Sequence, residues 1–276
     1  MIRFTADDGE TIHVAVAGEG PPLVILHGWT SNHHEWAPFV LPLSERHRLF
    51  RWDARGHGCH PLAAPSRASV QRMARDLRNL IDQFELHDAT LVGHSMGALT
   101  VWEYVRQFGT ADLGRLCLID QSPKILTGND WQLGIYGDFD AQRDRDFVRE
   151  LETDFAEAVM RLAAYGLNSR ARVKYDETAR GWQRIREELR RQDPTPLIEI
   201  WKSLAAADYR DVLPAIDIPT LLIFGNESNF YPLATAHYVR DRIDKSILHI
   251  YDGTDHSPHQ WKKEQFVRDL LDFIAT

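Results

Sequence analysis

Short apolar runs bounded by turn residues alternate along most of the chain with longer stretches of helical periodicity. From Ile2 to Ala17, the residues Ile12, Val14 and Val16 recur at every second position and Asp8-Gly9 supplies a turn, which predicts a β-hairpin. Pro22-Leu23-Val24-Ile25-Leu26 and Arg48-Leu49-Phe50-Arg51-Trp52-Asp53 are strand-length runs of the kind covered on both faces in a parallel sheet. Val70, Met73, Leu77, Leu80, Ile81 and Phe84 then fall at helical spacing, and Ala89-Thr90-Leu91-Val92 reads as the next strand. A helix from Ala98 to Phe108 and strands at 116–120, 219–225 and 246–251 continue the alternation, and a closing helix holds Phe266, Leu270, Leu271 and Ile274. Repeated strand-helix units imply a mostly parallel sheet with helices on both faces.

One stretch breaks this rhythm. Between about Gln121 and Ala207 there is no buried-strand run, and Phe147, Leu151, Phe155, Val159 and Leu162 form a helical stripe. The expected organisation is a core domain made of residues 1–120 and 208–276, with residues 121–207 inserted as a helical lid. An insertion at the carboxyl ends of strands shapes the binding crevice, so this segment is expected to govern substrate choice. Trp131, Tyr136, Trp182 and Trp201 are its candidate pocket rings, favouring a flat or apolar group in the substrate.

Composition narrows the function. With 276 residues, 43% of them hydrophobic, the chain can bury a full core without disulfides or metals. A formal net charge of -8 attracts neither nucleic acid nor an anionic membrane, leaving a small molecule as the expected partner. The two cysteines, Cys59 and Cys117, form no disulfide framework and no metal-ligand spacing occurs; Cys59 is expected to be a small buried residue. The amino-terminal residues lack an apolar signal core and no run approaches a membrane span, so a cytoplasmic protein is expected. A homodimer is compatible with the sequence, which does not itself set the oligomeric state.

The chemistry centres on Gly93-His94-Ser95-Met96-Gly97, a G-x-S-x-G pentapeptide between a predicted strand and a predicted helix. That context is a nucleophile elbow: a sharp turn lifts the serine Oγ above the sheet edge. A serine hydroxyl needs a base within hydrogen-bond reach and a third group to orient that base. His256, in the loop after the last strand, is the candidate base by its place in chain order. The oxyanion hole is expected from the backbone N–H groups of Met96 and Trp29, the latter following His27-Gly28 at a strand end. His27, His57 and His94 are read as histidines making turn-stabilising hydrogen bonds, and Asp255 as a loop hydrogen-bonding residue.

With His27-Gly28-Trp29, Asp53-Ala54-Arg55-Gly56-His57-Gly58, the elbow and Asp255-His256 in place, the chain resembles the α/β-hydrolase superfamily over nearly its whole length. The resemblance is to its small esterase, lactonase and cofactor-free haloperoxidase members. It implies the α/β-hydrolase fold and a reaction that needs no cofactor and no metal. Most members carry the triad acid three residues after the glycine ending the penultimate strand, and here Gly225-Asn226-Glu227-Ser228 places Ser228 there. Asp120, after the strand that follows the elbow, is the alternative location in such proteins and becomes the expected acid, with Glu227 in reserve. A turn-capping aspartate is the competing reading of Asp120. Where the family often has serine after the glycine-rich loop, this chain has His60, to which no role is assigned.

The leading expectation is a serine hydrolase in which Ser95 attacks an ester or lactone carbonyl, His256 moves the proton and Asp120 holds the imidazole. Two others stand beside it. Cofactor-independent dioxygenases of this fold, acting on hydroxy-heteroaromatic compounds, also place the acid after the strand following the elbow and a tryptophan after the oxyanion glycine. A non-catalytic ligand-binding member is the third, kept open by Ser228.

Overall fold

The computed structural model describes residues Met1 to Thr276, apart from the side chain of Ser66. Eight strands form one sheet: β1 (Ile2–Thr5), β2 (Thr11–Ala17), β3 (Pro22–Leu26), β4 (Arg48–Asp53), β5 (Ala89–His94), β6 (Leu113–Ile119), β7 (Thr220–Gly225) and β8 (Ser246–Tyr251). Their spatial order is β1-β2-β4-β3-β5-β6-β7-β8. β2 pairs antiparallel with both β1 and β4, and every later pairing is parallel. The helices are α1 (Val40–Ser44), α2 (Val70–Gln83), α3 (Met96–Phe108), α4 (Ala141–Thr153), α5 (Phe155–Ala164), α6 (Ser169–Asp176), α7 (Arg180–Leu189), α8 (Pro194–Ala206), α9 (Leu233–Arg240), α10 (Pro258–Trp261) and α11 (Lys263–Ala275).

Side chains on a strand point alternately to its two faces, so each continuous apolar run supplies two cores. Val24, Leu26, Leu91 and Leu118 face a cluster with Met73 and Leu77 of α2 and Val101 of α3. Leu23, Ile25, Val92, Cys117 and Ile119 face the other way, onto Phe266, Leu270 and Phe273 of α11 and onto Trp36 and Phe39. α2 starts cleanly because the Ser69 hydroxyl accepts a hydrogen bond from the Arg72 N–H, 3.2 Å away.

The strand runs read from the pattern are all present. β6 begins at Leu113, three residues before the apolar run, with an irregular register against β5 at Ala89/Thr90. Cys59 departs from expectation: it is exposed, at φ 59°, on the tip of the loop after β4, while Cys117 fills the buried position. His60, unassigned from sequence, places Nε2 2.9 Å from the Asp53 carboxylate and stacks on His13 with centroids 3.5 Å apart.

The sheet register sets the site. Leu26 lies beside Gly93, His94 beside Ile119, and Gly225 beside Tyr251, so β3, β5, β6, β7 and β8 end at one edge. The residues just beyond these ends converge outside the carboxyl edge of the parallel sheet, where open α/β sheets bind ligands. α4 to α8 all lie in the chain between β6 and β7. Among the described residues, no helix is long and apolar enough to cross a membrane.

Candidate active site

Two glycines let the elbow close. A β-carbon at Gly93 would sit 2.6 Å from the Gly97 carbonyl carbon, and one at Gly97 would sit 2.5 Å from the Leu26 carbonyl oxygen. β5, α3 and β3 therefore approach more closely than a side chain allows. Between the glycines Ser95 adopts φ 52° and ψ -115°, a conformation that costs about 1–3 kcal/mol and persists only where the surroundings impose it. Part of that imposition is the Ser95 N–H donating to the Ile119 carbonyl at 3.1 Å.

Asp120, directly after β6, is fully buried and itself sits at φ 45°. Its Oδ1 is 2.9 Å from Nδ1 of His256. The same oxygen accepts the Ser228 hydroxyl at 2.8 Å, and Oδ2 accepts the Gly225 N–H at 2.9 Å. Ser228, where the family resemblance led one to expect the acid, instead donates a hydrogen bond to this carboxylate on the neighbouring strand. Three donors on one buried carboxylate satisfy it and fix its orientation. Glu227 does not reach His256: its carboxylate is 40% exposed and paired with Arg170. The Asp255 carboxylate accepts the Ser257 N–H at 2.9 Å, a loop hydrogen bond as expected.

Ser95 and His256 line one cavity of about 690 Å³ together with Gly28, Trp29 and Met96. Met96 is the first residue of α3, where an N–H has no intrahelical partner. Neither the Met96 nor the Trp29 N–H finds an acceptor among the described residues. Of the four expected pocket rings, Trp182 and Trp201 line this cavity. Trp131 and Tyr136 do not. The Trp131 ring packs edge-on against Tyr238, 4.7 Å away, with Nε1 bonded to the Lys124 carbonyl, and the Tyr136 ring faces Phe230 and Phe139. Both rings are spent on holding the segment after β6 together. Phe230, Tyr231, Met160, Val159 and Leu204 are cavity residues that the sequence reading missed.

Two further lining residues, Glu35 and His94, belong to a polar cluster that the sequence did not reveal. Glu35, on a 3-10 turn at His33–Phe39, places Oε1 2.7 Å from Nδ1 of His94, and Nε2 of His94 is 2.9 Å from the His256 carbonyl oxygen. The His256 carbonyl oxygen only accepts, so Nε2 of His94 carries a hydrogen, and with Glu35 ionised Nδ1 carries a second, making an imidazolium–carboxylate pair. Burial opposes charge on both. The Glu35 carboxylate outweighs it at His94, raising that pKa above the ordinary 6.5, and the two histidines hold Glu35 well below 4.5. His94 is therefore not the local turn-stabilising histidine expected, whereas His27 and His57 are: His27 Nδ1 lies 2.8 Å from the Gly28 carbonyl oxygen and His57 Nδ1 3.1 Å from that of Arg55.

His259 completes the cluster, with Nε2 3.3 Å from Glu35 Oε1; burial pushes its pKa down to about 4, so it is neutral. Donor atoms of Glu35, His94 and His259 lie within 4.8 Å of one another. The 2.7 Å separation is a hydrogen-bond length, shorter than the roughly 3.4 Å between ligand atoms around a tetrahedral metal with bonds near 2.1 Å. The arrangement is a hydrogen-bonded ion pair.

A model of the alpha/beta hydrolase fold family matches residues 21–263, and the chain belongs to that family. It is 28% identical to the non-heme chloroperoxidase CPO-A1 of Kitasatospora aureofaciens, covering 98% of both chains. It is 29% identical to a pimeloyl-[acyl-carrier protein] methyl ester esterase of Vibrio vulnificus strain YJ016, covering 96% of this chain and 98% of that one. The solved structure of an esterase from Exiguobacterium antarcticum matches 99% of each chain with a TM-score of 0.85 at 22% identity, a likeness of fold.

Proposed function

We propose that this chain is a serine hydrolase cleaving a carboxylic ester or lactone of a small, uncharged, largely apolar substrate. Ser95 is the nucleophile, His256 the general base and Asp120 the acid that orients it. The observation that carries the reading is the buried Asp120 carboxylate 2.9 Å from His256 Nδ1, with Ser95 strained on an elbow in the same cavity. His256 takes the Ser95 proton as Oγ attacks the carbonyl carbon, and the N–H groups of Trp29 and Met96 receive the oxyanion. The imidazolium then protonates the leaving alcohol, and a water activated by His256 hydrolyses the acyl-enzyme. Residues 121–207 are the lid over this site.

The substrate class follows from the walls. Trp29, Trp182, Trp201 and Phe230 supply flat apolar area, and no lysine or arginine lines the cavity among the described residues. The imidazolium of His94 is already paired with Glu35, so a substrate carboxylate or phosphate would enter without a free counter-charge, at a desolvation cost that a neutral acyl group avoids. The esterase names carried by relatives agree with the reaction, and so does the hydrolytic chemistry common in this family.

Intact mass after reaction with a fluorophosphonate tests the proposal. Wild type is expected to gain one adduct and Ser95→Ala none, with His256→Ala labelled far more slowly. A folded wild type that resists labelling would remove the acyl-serine mechanism, and oxygen uptake with hydroxyquinolone-like compounds would then be the next assay.

A further inference from the structure

We infer that the buried Glu35–His94 pair is a positioning device that clamps the oxyanion loop, the elbow and the His256 loop into one geometry. The inference rests on the serine hydrolase reading above. Each hydrogen bond of the pair ends beside a group that reaction needs. Glu35 Oε2 accepts the Gly28 N–H at 3.0 Å, and the next N–H along is that of Trp29. His94 immediately precedes Ser95, and its Nε2–H donates to the backbone carbonyl of His256 itself at 2.9 Å. Residues 28 and 35, 94, and 256 come from three separate parts of the chain and are joined here by one buried carboxylate and one buried imidazole.

Stability alone does not account for the pair, because well-packed apolar residues commonly replace a buried ion pair at no cost. Glu35 is further anchored by its own carbonyl, which accepts Gln260 Nε2 at 2.6 Å, so α10 is tied to the same turn. What apolar residues could not supply is direction: a donor aimed at one loop and an acceptor aimed at another. Oxyanion donors and a general base work within a tolerance of about 0.5 Å, and a displacement near 1 Å can cost about 100-fold in rate. Neither Glu35 nor His94 needs to touch the reacting atoms to produce that effect.

The test uses p-nitrophenyl butyrate turnover and fluorophosphonate labelling on wild type, Glu35→Ala, Glu35→Gln and His94→Asn, with thermal unfolding of each. Glu35→Ala is expected to lower kcat about 100-fold with KM within about threefold, and to slow labelling in parallel. His94→Asn mimics Nδ1 but is too short to reach the His256 carbonyl, and is expected to lose about tenfold in kcat. Glu35→Gln is expected to stay within about threefold of wild type, since its amide oxygen accepts the Gly28 N–H and its NH2 donates to a neutral His94. Folded Glu35→Ala and His94→Asn variants with wild-type kcat would overturn the inference, as would Glu35→Gln falling as far as Glu35→Ala. Should Glu35→Ala not fold, the remaining two decide: a kcat of His94→Asn well below that of Glu35→Gln supports the clamp, and equal values overturn it. A wild type that neither labels nor turns over would instead sink the hydrolase reading, which the same experiment registers separately.

Discussion

The floor and the helical wall of the cavity are built on opposite principles. The floor consists of residues at or shortly past the ends of five parallel strands, with Glu35 added from the 3-10 turn after β3, and its polar groups are bonded to one another: Asp120 to His256, Ser228 and Gly225, and Glu35 to His94 and Gly28. The wall, from α5, α7 and α8, presents mainly apolar side chains inward, Glu188 excepted, while other charged residues face solvent in pairs such as Lys202–Glu199 of α8, 41% and 34% exposed. The two regions meet at Trp29. Its ring packs 4.9 Å from Trp201 and 5.8 Å from Phe155, and its Nε1 donates to the Leu197 carbonyl at 3.0 Å, so the residue proposed to offer an oxyanion N–H also anchors α5 and α8. Chemistry that needs direction is placed on strand ends, and shape selection on helices that can vary without moving it.

The largest expected effect lies in the floor. Asp120→Asn should lower kcat by about 10³- to 10⁴-fold, because the imidazole loses the charge that fixes its tautomer and stabilises its protonated form. Ser228→Asp on that background should recover about tenfold or more, since the Ser228 Oγ already lies 2.8 Å from the carboxylate it would replace. Steady-state kinetics on a p-nitrophenyl ester read both. A larger loss from Glu227→Gln than from Asp120→Asn would show that the acid has been assigned to the wrong strand end.

In the wall the same size of side-chain change should act on binding. Trp182→Ala is expected to raise KM for a bulky aromatic ester about tenfold while leaving kcat and small esters little changed. Trp131→Phe, altering a ring outside the cavity, should leave KM as it is. If Trp182→Ala lowers kcat and leaves KM alone, the division between floor and wall fails at that residue.

This division also explains what the sequence could and could not disclose. Ser95 and His256 could be singled out as candidates because an elbow needs particular residues at fixed offsets from a strand end, and Asp120 because the family resemblance puts Ser228 at the usual acid position; that the three converge is what the structure adds. Glu35 was not legible. His33-His34-Glu35-Trp36 reads as a polar loop, and its partner His94 is 59 residues away, brought near only because β3 and β5 are neighbours in the sheet. The one local hint is that the polar turn runs straight into Trp36 and Phe39, both buried. The wall was legible only as far as its helical stripe, which fixes an inward face but not what that face meets. Trp131 and Trp201 look alike in sequence, yet one closes a turn and the other borders the cavity.

The smallest expected effect is on stability, and it separates the two regions by pH. His94 has its pKa raised on folding, so its favourable contribution is complete below 6.5 and is lost as pH rises through the raised value. Glu35 has its pKa lowered, so its contribution is complete above 4.5 and is lost as pH falls through the lowered value. The pair therefore supports the fold in full between 4.5 and 6.5, and its contribution weakens on either side, as pH falls toward the lowered Glu35 value and as pH rises toward the raised His94 value. In urea titrations, the stability difference between wild type and Glu35→Gln should be flat across pH 4.5 to 6.5 and shrink on either side of that window. Lys202→Ala in the wall should change stability by less than about 0.5 kcal/mol, because an exposed pair is screened by solvent. A floor variant as indifferent to pH as the wall variant would mean that the Glu35 and His94 charges are not coupled to folding, and the contrast between the two regions would reduce to one of shape.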